Sequence, residues 1–217
     1  MKFVQNPTEK TTAVTDILLA LTAFGGIAYL QWPQLFSDKL WKINIWSGAI
    51  GLIGLAAALG AVAHGLVLSG NFYHRIWLVL NMALGLAVSL FVVGVVYDLW
   101  GFEISRATLP IMLIVGLGFF LMTMLYPGIF FLFIVYETVA LVFALGAYIY
   151  LTVQAVLPGA WLIAFGILVS IIAAGIQANK SVFLKFIWVF DHNGIYHLVQ
   201  VIGLLLLLMG LRWSMLD

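Results

Sequence analysis

Residues 193–212 read NGIYHLVQVIGLLLLLMGLR. At 1.5 Å per residue, a helix of that length spans roughly 30 Å, the thickness of a bilayer's hydrocarbon core. From Val201 to Leu211 no polar side chain interrupts it. The stretch predicts a transmembrane helix. Its opening turns carry Asn193, His197 and Gln200 at i, i+4 and i+7, one stripe of the helix. Polar groups in hydrocarbon persist where protein or a cavity covers them. This one segment therefore predicts a bundle with a polar interior towards one face of the membrane.

The other runs agree. Apolar stretches and their breakers place helices over about 13–31, 44–69, 74–98, 107–126, 129–152 and 159–177, with 193–212 as the seventh. The breakers are Trp32-Pro33, a connector holding Ser37, Asp38, Lys39 and Lys42, then Ser69-Gly70-Asn71 and Asp98-Leu99-Trp100-Gly101. Glu103 and Arg106 precede helix 4, Pro127-Gly128 makes a tight turn, and Leu157-Pro158-Gly159 opens helix 6. Residues 178–190, with Lys180 and Lys185, lead into helix 7.

Composition points the same way. Hydrophobic residues make up 65% of the 217 and charged residues 8%, against about 25% charged in a soluble domain. The mean hydropathy is +1.19. No water-facing surface can be built from this chain, and the expectation is a single all-α membrane domain over 1–217. The runs are too long and too uniformly apolar for barrel strands, and an open sheet cannot span lipid. A net charge of +1 gives no electrostatic surface for nucleic acid. The absence of cysteine excludes disulfides and thiolate metal sites. The run behind the polar residues 1–10 is too long for a signal peptide's apolar core, so it is read as a retained helix.

Lys2, Lys10, Arg75, Lys180 and Lys185 fall on the N-terminal side; Lys39, Lys42, Arg106 and Arg212 fall on the other. That slight excess favours a cytoplasmic N-terminus in a bacterial inner membrane. Trp32, Trp41, Trp46, Trp100, Trp161 and Trp213 gather near the opposite side as an aromatic belt. Asp98 is expected there as a solvated carboxylate.

With odd helices starting and even helices ending on the N-terminal side, several polar residues share one leaflet. His64 falls roughly 9 Å inside the end of helix 2, and Asn81 about as far inside the start of helix 3. His197 lies at a similar depth in helix 7, with His192 and Asn193 a turn shallower. Asp16 stands near the start of helix 1 and Gln177 closes helix 6. Glu137 is deeper, close to mid-membrane. Each alone is readily a packing hydrogen bond between helices; together at matched depth they suggest a functional cavity. His192 and His197 are five residues apart, so both meet one metal only if the helix begins after His192 or carries a bulge.

The segment Asp191-His192-Asn193-Gly194-Ile195-Tyr196-His197-Leu198-Val199-Gln200 resembles the helix-7 motif of the CREST superfamily, seven-helix membrane proteins that include alkaline ceramidases and the progestin and adiponectin receptors. The resemblance implies an intramembrane zinc ion. His64 matches the family's helix-2 ligand and His197 the second helix-7 ligand. Asn81 stands where the family has Asp, Asn193 where it has the first helix-7 His, and Gly60 where it has Ser. His192 adjoins the vacated position. Asp16 is loosely similar to an acidic residue of ceramidase helix 1.

The function this implies is hydrolysis of a lipid amide or ester within one leaflet. Zinc held by His64, His192 and His197 activates a water, and Asn81 orients it, since an amide is no general base. The departures from the motif favour a second reading, a receptor-like or lipid-binding protein without the metal. A transporter using Glu137 and His64 ranks lower, because the polar set stays in one leaflet. A retinal protein is unsupported, since helix 7 has no Lys.

Overall fold

The computed structural model describes residues 2–32, 39–126 and 130–216. It contains seven long helices: α1 Pro7–Gln31, α2 Leu40–Gly65, α3 Gly70–Trp100, α4 Phe102–Leu125, α5 Phe130–Val153, α6 Ala160–Ala178 and α7 His192–Leu216. Each is long and apolar enough to cross a membrane. The chain is a multi-pass, all-α membrane protein. The expected turn at Pro127-Gly128, and Pro33, Ser37 and Asp38 of the first connector, lie outside the described residues.

Local chemistry explains the helix ends. Asn6 caps α1, its side chain accepting from the Thr8 N–H at 3.1 Å, and Pro7 occupies the first turn, where no N–H is needed. Trp32 is extended, as the residue before a proline must be. Gly101, at φ +82°, supplies the left-handed residue that lets α3 break and α4 begin at once. Helix α7 is capped by Asp191, whose Oδ1 accepts from the Gly194 N–H at 2.9 Å.

Two departures from the sequence reading matter. Helix α2 ends at Gly65, although the apolar run continues to Leu68. Those residues leave the helix because they pair with the N-terminal segment: Val4 N–H donates to Gly65 O at 3.0 Å and Val67 N–H to Lys2 O at 2.9 Å. Residues 178–191 are also not a plain linker. Phe183–Lys185 (β1) and Val189–Asp191 (β2) form an antiparallel hairpin. Thr11 pins its base by donating to Val189 O at 2.6 Å.

Packing runs α1 to α2, α2 to α3, α3 to α5, α5 to α6, α6 to α7 and α7 back to α1. Six helices thus close a ring, with α4 packed on the outside of α3. Membrane helices gain little from apolar burial against one another, so close approach depends on small residues. The α6–α7 seam shows it: a Cβ on Gly166 would fall 2.7 Å from Gly203 O, and one on Gly203 would fall 3.0 Å from Gly166 O. The α3–α5 seam is the thinnest in the ring.

Candidate functional site

On the N-terminal side, α1, α2 and α7 bring together four ionisable side chains. His64 Nδ1 lies 2.7 Å from Glu9 Oε2. His197 Nε2 lies 3.3 Å from Asp16 Oδ1, and both side chains are almost fully buried. His64 and Asp191 are each within electrostatic reach of His197. Asp191 also accepts from the Thr12 hydroxyl at 3.1 Å, tying the cap of α7 to α1.

Both ring nitrogens of His197 face polar side chains of α1. Thr15 Oγ1 donates to Thr12 O at 2.9 Å, which leaves it to accept from His197 Nδ1 at 3.2 Å. Nε2 then faces Asp16 Oδ1. Two unprotonated acceptors would repel at that 3.3 Å separation, so the contact favours a protonated ring or a protonated carboxyl. The pair is equipped to take or deliver a proton. Thr15 is not a triad nucleophile here, because its own hydrogen is committed to the backbone.

Asp16 has a further peculiarity. Its Oδ2 is buried without a hydrogen-bond partner among the described residues. The carboxylate rests against Gly60, where an added Cβ would fall 2.9 Å from both oxygens. Gly60, where the resembled family carries Ser, clears the space that Asp16 fills.

The remaining sequence-derived candidates scatter. His192 and Asn193 form the first turn of α7 and are partly buried. Asn81 lies some three turns into α3, roughly 16 Å from its start at 1.5 Å per residue, whereas His64 is next to last in α2. The expected common depth of these two fails, because α2 ends early and α3 starts early. Gln177 is in the last turn of α6, its Oε1 buried without a partner among the described residues. Glu137 and Gln200 belong elsewhere: they line a cavity of about 90 Å³ inside the ring, with Tyr196, Ser170 and apolar or aromatic side chains of α2, α3, α5, α6 and α7. Tyr196 lies within electrostatic reach of both Glu137 and Asp16, so it joins cavity and cluster.

Sequence reasoning missed Glu9, Thr15 and Tyr196. Glu9 sat in what read as a polar leader, while Tyr196 was visible as the neighbour of His197 in the quoted motif.

The donors do not match the zinc site that the resemblance implies. A catalytic zinc takes three protein ligands. His197 has Thr15 on one nitrogen and Asp16 on the other, and His64 Nδ1 is held by Glu9. Helix α7 begins at His192 and so keeps His192 and His197 on different faces. Among the described residues, no three His, Asp or Glu side chains converge on one point.

At the far end of the bundle a second network corrects the reading of Asp98 as solvated. Its side chain is 1% exposed and pairs with Lys42, Nζ to Oδ1 at 2.5 Å. Tyr148 donates to Asp98 Oδ2 at 2.6 Å, and Lys42 donates to Ser214 Oγ at 2.7 Å.

No curated protein and no solved structure matches the chain. A family model described as a family of unknown function (DUF6962) matches residues 11–215, so the chain belongs to that family.

Proposed function

We propose that this member of the DUF6962 family binds a lipid or lipid-like molecule drawn from the bilayer, lodging part of it in the cavity within the helix ring. One observation carries the reading. The cavity is walled by apolar and aromatic side chains, yet holds a few convergent polar groups, the composition expected of a ligand pocket. Towards the N-terminal side, the buried Asp16–His197 pair and the more exposed Glu9–His64 pair add ionisable groups at one end of the bundle. At about 90 Å³ the cavity is smaller than the roughly 150 Å³ cavity that takes a benzene ring. A whole acyl chain therefore requires the ring to widen. The slight Lys and Arg excess on the N-terminal side supports a cytoplasmic N-terminus.

The second reading, hydrolysis of a lipid amide or ester, draws support from the close Asp16–His197 pair and the CREST resemblance. One experiment separates the two. Protein purified in nanodiscs is examined by native mass spectrometry for retained lipid, then incubated with ceramide and lysolipid panels. The binding reading expects retained lipid that Ala140→Phe, filling the cavity, displaces, with no turnover. Turnover that His197→Ala abolishes would install the hydrolase reading, and zinc found by elemental analysis and lost in His64→Ala would make it metal-dependent. Neither retained lipid nor turnover would reject both.

A further inference from the structure

Three of the cavity's polar side chains, Glu137, Tyr196 and Gln200, make no hydrogen bond among the described residues. The Glu137 Oε2, on α5, is fully buried. Tyr196 and Gln200 stand one turn apart on α7, on the same face of that helix. Ser170 on α6 donates its hydroxyl to Gly166 O at 3.0 Å, leaving only acceptor capacity. Buried polar atoms are ordinarily paired, so the unpartnered Glu137 Oε2 leaves this band open to a group that the described residues do not supply.

Its chemistry says which group. The carboxyl, the Gln200 carbonyl and two hydroxyl oxygens offer acceptors, beside the donors of the Gln200 amide, the Tyr196 hydroxyl and the unpartnered Trp46 Nε1–H. No Lys, Arg or His is among the lining residues, so Glu137 faces the cavity with no counter-charge. Trp46, Phe91, Phe133 and Tyr196 contribute aromatic side chains to the same walls. Aromatic faces beside a lone carboxyl suit an ammonium, which brings three donors and a charge that both rings and carboxylate attract.

We infer that the buried end of the ligand carries a basic nitrogen, and that Glu137 together with Tyr196 and Gln200 forms an amine site within the ring. The amine enters neutral from the bilayer and takes the carboxyl proton, giving an ammonium–carboxylate pair with atoms and charge conserved. The cavity's size limits the buried portion to a short, slender amine segment. This inference rests on the cavity being a ligand site, and the experiment tells failure of the one from failure of the other.

The probes are n-propylamine, 1-propanol and n-butane, matched in heavy atoms and smaller than benzene, titrated into purified protein in nanodiscs with binding followed calorimetrically at fixed pH. n-Propylamine should saturate and bind at least tenfold more tightly than 1-propanol. Glu137→Gln should weaken the amine tenfold or more and 1-propanol far less, and Ala140→Phe should abolish binding of all three. Equal affinity for amine and alcohol overturns the amine inference and keeps the cavity reading. No binding of any probe overturns both. Amine preference that survives Glu137→Gln overturns the inference, because Glu137 supplies its proton and counter-charge. If Glu137→Gln does not fold, Gln200→Leu and Tyr196→Phe take its place, and amine binding unchanged in both overturns the inference.

Discussion

The two ends of the bundle hold similar numbers of charged side chains and use them differently. At the far end, Lys42 is shared between Asp98 and Ser214, and Tyr148 satisfies the other Asp98 oxygen. Four helices, α2, α3, α5 and α7, meet there, and every polar side chain of the network has its partner. At the N-terminal end, Asp16 keeps an oxygen without a partner among the described residues, His197 lies 3.3 Å from its other oxygen, and Glu9 is part-exposed beside His64. A closed network fixes helices. An open one leaves capacity for a ligand or a proton, at a cost in stability that the rest of the fold must offset.

If that contrast is right, the far end should be the more costly to disturb. Lys42→Met removes the cation and strands Asp98 in a buried site, a loss of about 3–5 kcal/mol when one partner of a buried pair goes. Unfolding of the detergent-solubilised protein, followed by far-UV circular dichroism, measures it. The double variant Lys42→Met, Asp98→Leu should recover most of the loss, because no uncompensated charge remains. A single variant as stable as the wild type would mean that the network is not a clamp.

The contrast was only half legible in the sequence. The seven spans were, because an apolar run of twenty residues has few alternatives in a bilayer. His64, Asp16 and His197 were also visible, since a titratable residue at depth stands out against Leu and Ala. The clamp was not. Lys42 and Asp98 lie at helix ends far apart in sequence, where charged residues ordinarily reach water, and only the fold shows them buried against each other. The end of α2 was misplaced for another reason: Leu66, Val67 and Leu68 are as apolar as the helix before them, but a pairing with residues 2–4 draws them out of it. The β1–β2 hairpin escaped because three-residue strands give no readable alternation, and its apolar tip, Phe186-Ile187-Trp188, reads as more membrane helix.

A smaller effect is expected where the open end is tightest. Gly60→Ala would place a methyl group 2.9 Å from both Asp16 oxygens and push the carboxylate off His197. Overpacking of this kind costs about 1–3 kcal/mol. The same thermal unfolding experiment checks it, and adding Asp16→Ala should return stability towards the wild type by removing the group that the methyl displaces. Additive losses in the double variant would show that Gly60 and Asp16 do not share one space.

The smallest effect belongs to Glu9. Its side chain is 38% exposed, and its partner His64 is 17% exposed, at the end of α2. Water and salt screen such a pair, and ordering two side chains costs entropy, so exposed ion pairs contribute about 0–1 kcal/mol. Glu9→Gln keeps the size of the side chain and leaves the amide able to hydrogen bond to His64, so its unfolding midpoint should stay close to that of the wild type. The chemistry should change more than the stability. With Glu9 neutral, nothing negative holds the His64 ring, and its nitrogen resonances, read by ¹⁵N-histidine NMR, should move while those of His197 stay fixed by Asp16 and Thr15. A large loss of stability would place Glu9 in a closed clamp like that of Lys42, and the difference between the two ends would disappear.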